Sequence, residues 1–182
     1  MLAIKKAPEP EFFKSYVEDP SQKKALRDYI LEKEQQHLCC YCETQISGNR
    51  EDSILEHIRP RSKYPEWEYD YNNLLVSCSS KDRCGHFKKN NFSDFFIIQT
   101  EENPADYLTY SASGDIRPID NSRKGRETID ILNLNQAKLK QARRTLFKQL
   151  IKMIRAGNLD DCLAYFKEYP AFVDYVKENY RG

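Results

Sequence analysis

The stretch PSQKKALRDYILEKEQQ carries Ala25, Leu26, Tyr29 and Ile30 at helical spacing, with Ser21 placed to cap the first turn, so a first helix is predicted over residues 21–36. The period then shortens. HLCCYCETQIS runs into a turn at Gly48 and Asn49, and SILEHIRP alternates apolar and polar positions until Pro60 stops it, so the two are expected to pair as a hairpin. RSKYPEWEYDYN is polar and broken by proline, which marks a loop. The apolar NLLVSC and the lysine-rich CGHFKKNNFSDFF follow, the latter expected to be helical, so the middle of the chain reads strand, strand, helix. FFIIQ and YLTYSASGDIRPI read as further strands, the second folded back at SASGD.

From about Arg126 the spacing is helical again. No acidic residue lies between Asp130 and Asp160, while Lys138, Lys140, Arg143, Arg144, Lys148, Lys152 and Arg155 interleave with Leu139, Ala142, Leu146, Leu150 and Ile154. One face is therefore apolar and the other basic. Asn158, after Gly157, is placed to cap a further helix, and Pro170 separates LDDCLAYFKEY from AFVDYVKENY. The C-terminal third is expected to be a small helical bundle.

Composition narrows the classes. A chain of 182 residues is long enough to bury a real interior as one folded unit. Lys and Arg (29) nearly cancel Asp and Glu (28), so any basic surface must come from local clustering. MLAIKKAPEPEFFK has no apolar leader core, and no apolar run approaches the ~20 residues that span a bilayer, which points to a cytoplasmic protein without a membrane segment. In that reducing compartment six cysteines suggest metal ligation ahead of disulfides.

Their spacing supports it. Cys39 and Cys42 form a Cys-x-x-Cys pair, Cys78 follows after 35 residues and Cys84 after five more, a donor set suited to structural Zn²⁺ provided that SSKDR bulges out as a small loop. Such a crosslink supplies folding energy that two short strands and a helix lack. Cys40 lies between the candidates and is expected to pack inward, with an exchange of roles with Cys39 left open, and Cys162 in an apolar helix is expected in the core. A redox dithiol at Cys39 and Cys42 is the competing reading, although the strand-to-helix context of such motifs is missing.

Two of the three histidines, His57 and His86, fall in the same region. EHIRP sets Glu56 directly before His57, and NNLLVSC supplies Asn73 ahead of the segment with His86. This order of Glu56, His57, Pro60, Asn73 and His86 resembles the His-Asn-His (HNH) nuclease family, whose members often carry a four-cysteine zinc site. CCYCE, EHIRPRSKYPE, NNLLVSC, CGHFKKN, GDIRPI and ILNLN, from about Leu31 to Arg144, are similar in order to the HNH proteins of Septu-type and retron-associated antiphage systems.

The resemblance implies an α+β fold: a ββα-metal, treble-clef-like core with a four-cysteine zinc site, an extra β-hairpin and a C-terminal helical bundle. The domains expected are residues 1–125, with the HNH motif at about 38–92, and a helical region over 126–182 packed on it. It implies a metal-dependent endonuclease with His57 as general base, Glu56 and His86 as ligands of Mg²⁺ or Mn²⁺, and Asn73 bracing the loop and orienting His57. Adjacent strand residues point to opposite faces, so Glu56 and His57 share an ion only if the strand twists or bulges.

Gly85 departs from the pattern of many family members, which have Asn or His directly after the last cysteine. Asn90 therefore competes with His86 as ligand, with His86 then on a phosphate, and replacement of Cys84 by His86 at zinc is a third arrangement. Arg59, Arg61, Lys63, Lys88 and Lys89 are the expected nucleic-acid contacts, and Trp67, Tyr69 and Tyr71 are candidates for stacking or loop packing. The implied partners are nucleic acid, DNA ahead of RNA, a separate ATPase subunit, and a retron reverse transcriptase with its DNA product. The chain has no Gly-rich phosphate loop of its own. His37 has no role in this pattern. The alternative from another class is a non-catalytic zinc-binding module for nucleic acid or protein.

Overall fold

The computed structural model describes residues 1–19 and 22–181. Helix α1 (Phe13–Glu18) precedes α2 (Lys23–Ile30), which continues as a wider π turn over Leu31–Gln35 and stops at Gln36 with φ 51°. Leu26, Ile30 and Leu31, four and one residues apart, are fully buried, as the helical spacing requires. The expected cap Ser21 lies outside the described residues.

Strand β1 (Ser53–His57) is paired antiparallel to β2 (Leu74–Cys78), in the register Ser53↔Cys78 to His57↔Leu74. The hairpin expected between HLCCYCETQIS and SILEHIRP is thus corrected. The cysteine segment spends its backbone groups on itself and on β2: Cys39 N–H donates to Thr44 O, Ile46 N–H to His37 O, and Cys40 N–H to Val76 O. It forms a knuckle with one isolated bridge, Leu38↔Gln45. Gln35 fastens the knuckle to β2, donating to Leu38 O and Val76 O and accepting from Val76 N.

Helix α3 (Cys84–Lys88) follows β2, so strand, strand and helix occur in the expected order. FFIIQ is not a strand. Its backbone partners are single and come from different directions: Ile97 N–H meets the Thr128 hydroxyl and Gln99 O accepts from Ile4 N–H, while Phe96 and Ile97 are buried as anchors. β3 (Leu108–Tyr110) and β4 (Ile116–Pro118) make the expected second hairpin, turned at Gly114 with φ 86°. A Cβ on Gly114 would stand 2.3 Å from the Lys140 carbonyl.

Helix α4 (Arg123–Leu132) begins three residues before the expected Arg126, where the Ser122 hydroxyl caps Gly125 N–H. α5 (Ala137–Ala156) is the long basic helix, closed by Gly157, and α6 (Leu159–Cys162) and α7 (Pro170–Tyr180) complete the chain. Arg143 is an exception to the basic face: it is buried, and its guanidinium donates to Gly114 O and Leu134 O. Glu43, beside the knuckle, holds the start of α7 by accepting from Tyr169 N and Ala171 N. The result is a mixed α/β fold with two small sheets. No helix among the described residues is long and apolar enough to cross a membrane.

Candidate metal centre and active site

The knuckle brings Cys39 and Cys42 to Cys78, at the end of β2, and Cys84, at the start of α3. Their four sulfurs lie within 4.8 Å of one another and all four residues are buried. A tetrahedral zinc thiolate with Zn–S of about 2.3 Å sets neighbouring sulfurs about 3.8 Å apart. Cys42 and Cys78 stand at 3.9 Å. The donors therefore suit zinc in number, softness and spacing. Among the described residues this is the one group of three or more His, Cys, Asp or Glu donors close enough to share an ion.

Four thiolates on Zn²⁺ leave a net negative centre, and the surroundings answer it. Cys78 N–H points at Cys39 Sγ, 3.2 Å away, and burial of Arg83, which opposes its charge, is outweighed by Cys42, Cys78 and Cys84, which raise its pKa. Cys40 is buried outside the group, where desolvation pushes its thiol well above the usual cysteine range. Cys162 is half-buried on α6.

On β1, Glu56 and His57 diverge. The Glu56 carboxylate turns into the protein, where Oε1 accepts from Lys88 Nζ at 2.7 Å and from Tyr41 Oη at 3.1 Å. Desolvation raises its pKa and the Lys88 ammonium counters that. Lys88 is only 1% exposed and donates a second bond to the His57 carbonyl at 2.9 Å. Glu56 is committed to an ion pair, and Lys88 faces the interior where the phosphate backbone does not reach.

Gly85 now has a physical reason. A Cβ at that position would lie 2.4 Å from Glu56 Oε2, so the carboxylate fills the space that an Asn or His side chain would need.

His57 is half-buried, with Nε2 3.1 Å from the Glu68 carbonyl oxygen. A carbonyl only accepts, so Nε2 carries the proton and Nδ1 keeps its lone pair. Desolvation lowers the His57 pKa, with the Arg61 and Lys88 charges acting in the same direction, which favours the neutral ring. Asn73 is 0% exposed, and its amide bonds go to main-chain groups. Its amide clamps the loop that follows β1: Oδ1 accepts from Arg59 N at 2.8 Å, and Nδ2 donates to Arg59 O at 3.1 Å and Trp67 O at 2.8 Å.

The remaining candidates lie on the surface. His86, Lys89 and Asn90 are exposed at α3 and its end, as are Arg61 and Lys63 after β1; Arg61 reaches Glu68 Oε1 at 3.0 Å. His86 is outside the four-sulfur group. Arg59 is half-buried, paired with Glu101 and stacked over Trp67 at 4.4 Å. Tyr71 packs on Phe13, Tyr69 is exposed, and His37 is an exposed residue at a helix end. Tyr41 and the Glu68 carbonyl also belong to the site. The position of Tyr41 inside Cys-x-x-Cys was the available signal for the first, and a backbone acceptor has none.

No family model matches the chain. It is 33% identical over 146 residues to a candidate HNH endonuclease of the Vc95 retron from Vibrio cholerae serotype O1 biovar El Tor, covering 74% of this chain and 69% of that protein. It is 30% identical over 103 residues to Septu protein PtuB of Bacillus thuringiensis, covering 54% of this chain and 37% of the relative. With PtuB of Bacillus mycoides (strain KBAB4) the identity is 26% over 156 residues, 66% of this chain and 50% of the relative. The chain thus spans half or less of the PtuB proteins and 69% of the retron protein. With that identity and coverage against the retron relative, the chain belongs to the HNH nuclease family of retron- and Septu-type defence systems.

Proposed function

We propose that the protein is an endonuclease that hydrolyses phosphodiester bonds of nucleic acid, with β1, β2 and α3 as its ββα core, His57 as general base and the four cysteines on structural Zn²⁺. The observation that carries this reading is the His57 ring, whose Nε2 is committed to the Glu68 carbonyl and whose pKa is lowered by burial. Nδ1 then takes a proton from water, the resulting hydroxide forms a new bond to phosphorus as the bond from phosphorus to the 3′ oxygen breaks, and the leaving 3′ oxygen takes up a proton from solvent. Asn73 keeps the supporting loop in place, and exposed Arg61, Lys63 and Lys89 meet the phosphates.

Dependence on Mg²⁺ or Mn²⁺ belongs to the reading as the family implies it. The fit is incomplete: Glu56 is held by Lys88, which leaves exposed His86 and Asn90, fewer protein donors than hard cations take when substrate oxygens and water are set aside.

The protein would serve as the nuclease component of a cytoplasmic antiphage system, working with a separate ATPase subunit and, in a retron setting, a reverse transcriptase and its DNA product. Residues 126–182 would form the helical region packed on the nuclease core. No observation favours the non-catalytic zinc module, and the buried four-sulfur group disfavours an accessible redox dithiol. Purified zinc-loaded protein with Mg²⁺ or Mn²⁺ is expected to nick supercoiled plasmid, with structured RNA as the parallel substrate. Binding without scission of either polymer, with the ATPase present as well, would reject the reading.

A further inference from the structure

Tyr41 stands inside the knuckle, between two of the four sulfur donors, and is buried. Its hydroxyl donates to Glu56 Oε1, the same oxygen that accepts from Lys88, and Lys88 ends on the carbonyl of His57. Gly85 lets the carboxylate lie flat against α3. One hydrogen-bonded chain therefore runs from the cysteine knuckle through β1 and α3 to the main chain of His57. Glu56 and Lys88 are both too deeply buried to meet a substrate.

We infer that Tyr41, Glu56 and Lys88 are positioning residues through which the zinc knuckle holds the His57 backbone and thereby aims its ring. This rests on His57 as the base. It explains why a buried ion pair, which adds little net stability over apolar packing, sits directly behind the histidine. A purely structural pair and a positioning pair differ in what happens when both charges are removed together.

The test uses the full-length zinc-loaded protein and supercoiled plasmid DNA. Lys88→Met alone strands the Glu56 charge and risks unfolding, so the informative variants are Glu56→Gln/Lys88→Met and Tyr41→Phe, each checked for zinc content and melting temperature. With zinc retained, kcat in the double variant is expected to fall by about 10- to 100-fold, the range seen when outer-shell partners are lost. KM should stay unchanged, as for an interaction that acts on the reacting geometry alone. Tyr41→Phe should shift kcat in the same direction by less.

Wild-type kcat in a folded, zinc-bound double variant would overturn the inference. The NMR signal of the His57 imidazole gives a readout free of cleavage: it should move in both variants, and an unmoved signal would overturn the inference equally. His57→Ala separates the two readings, because cutting that survives it removes the base assignment itself.

A second observation stands apart from the first. On α5, Arg144, Lys148, Lys152 and Arg155 are exposed at spacings of four, four and three, which puts them on one stripe opposite buried Leu139, Leu146 and Leu150. None makes an ion pair with a described residue, and the helix has no acid to neutralise them, whereas Lys140 is paired with Asp115. The stripe runs about 16 Å, the length of roughly five base pairs. The geometry points to a nucleic-acid exosite on α5 that grips the phosphate backbone apart from the His57 region.

Anisotropy of a labelled 20-base-pair DNA duplex tests it on the full-length His57→Ala protein, with and without replacement of the four cations by Gln. The replacement is expected to weaken binding about tenfold or more and to flatten the slope of log affinity against log salt by about three to four. Unchanged affinity and slope would overturn the exosite and leave α5 to an acidic protein partner.

Discussion

His57 points Nε2 at the main-chain carbonyl of Glu68, 3.1 Å away, a contact eleven residues along the chain that settles which ring nitrogen is free to accept a proton. The loop between them is clamped by Asn73 as well. The consequences can be measured.

The first concerns pH. Desolvation holds the folded pKa of His57 below its ordinary 6.5, so the ring is neutral across the physiological range. The single-turnover rate should be flat near neutrality and fall only as pH drops through a value under 6.5. Because the unfolded chain protonates this residue more readily, its contribution to stability should be present above 6.5 and be lost as pH falls through the lowered folded value. A pH–rate profile with its acid limb above 6.5 would contradict the burial argument.

Asn73 offers a stability test. Asn73→Ala leaves the Arg59 and Trp67 backbone groups without their partner, which should cost about 1–3 kcal/mol in urea unfolding. Cleavage should fall with it, since the loop that carries Glu68 loses its clamp. A variant as stable as wild type would mean that water replaces the amide.

Metal analysis is expected to find one zinc per chain, lost in Cys42→Ser and Cys78→Ser and kept in Cys40→Ser and Cys162→Ser. Strong chelators should unfold the knuckle, because binding energy at such a site is folding energy. Zinc lost on replacement of Cys40 would exchange its role with a neighbour.

Gly85→Ala brings a methyl group to 2.4 Å from the Glu56 carboxylate. Overpacking of this kind typically costs about 1–3 kcal/mol, read as a lowered melting temperature. In the Glu56→Ala background the same substitution should cost much less. Equal cost in both backgrounds would show that the carboxylate is not the obstacle.

Much of this was legible in the residues themselves. The four cysteines come as two local pairs, and Leu26 and Ile30 or Leu139, Leu146 and Leu150 announce their helices by spacing alone. Strand alternation warned that Glu56 and His57 part company, but the partner of Glu56 was hidden: Lys88 reads as one more surface cation until α3 is laid against β1. The β1–β2 pairing has no local signal, because the apolar run of the knuckle mimics a strand while its backbone is satisfied within itself, as the Cys39 to Thr44 bond shows. FFIIQ has the composition of a strand, yet tertiary partners at Thr128 and Ile4 claim its backbone. Arg143, read as part of a basic face, is drawn inward by two carbonyls that no local pattern reveals.

We propose His57 as the general base. The most direct test is the single-turnover cleavage rate of plasmid by zinc-loaded wild type and His57→Ala, with zinc content and melting temperature measured alongside. A loss of about 100-fold or more with zinc and fold intact is expected for a general base. Cleavage by His57→Ala at the wild-type rate would contradict it.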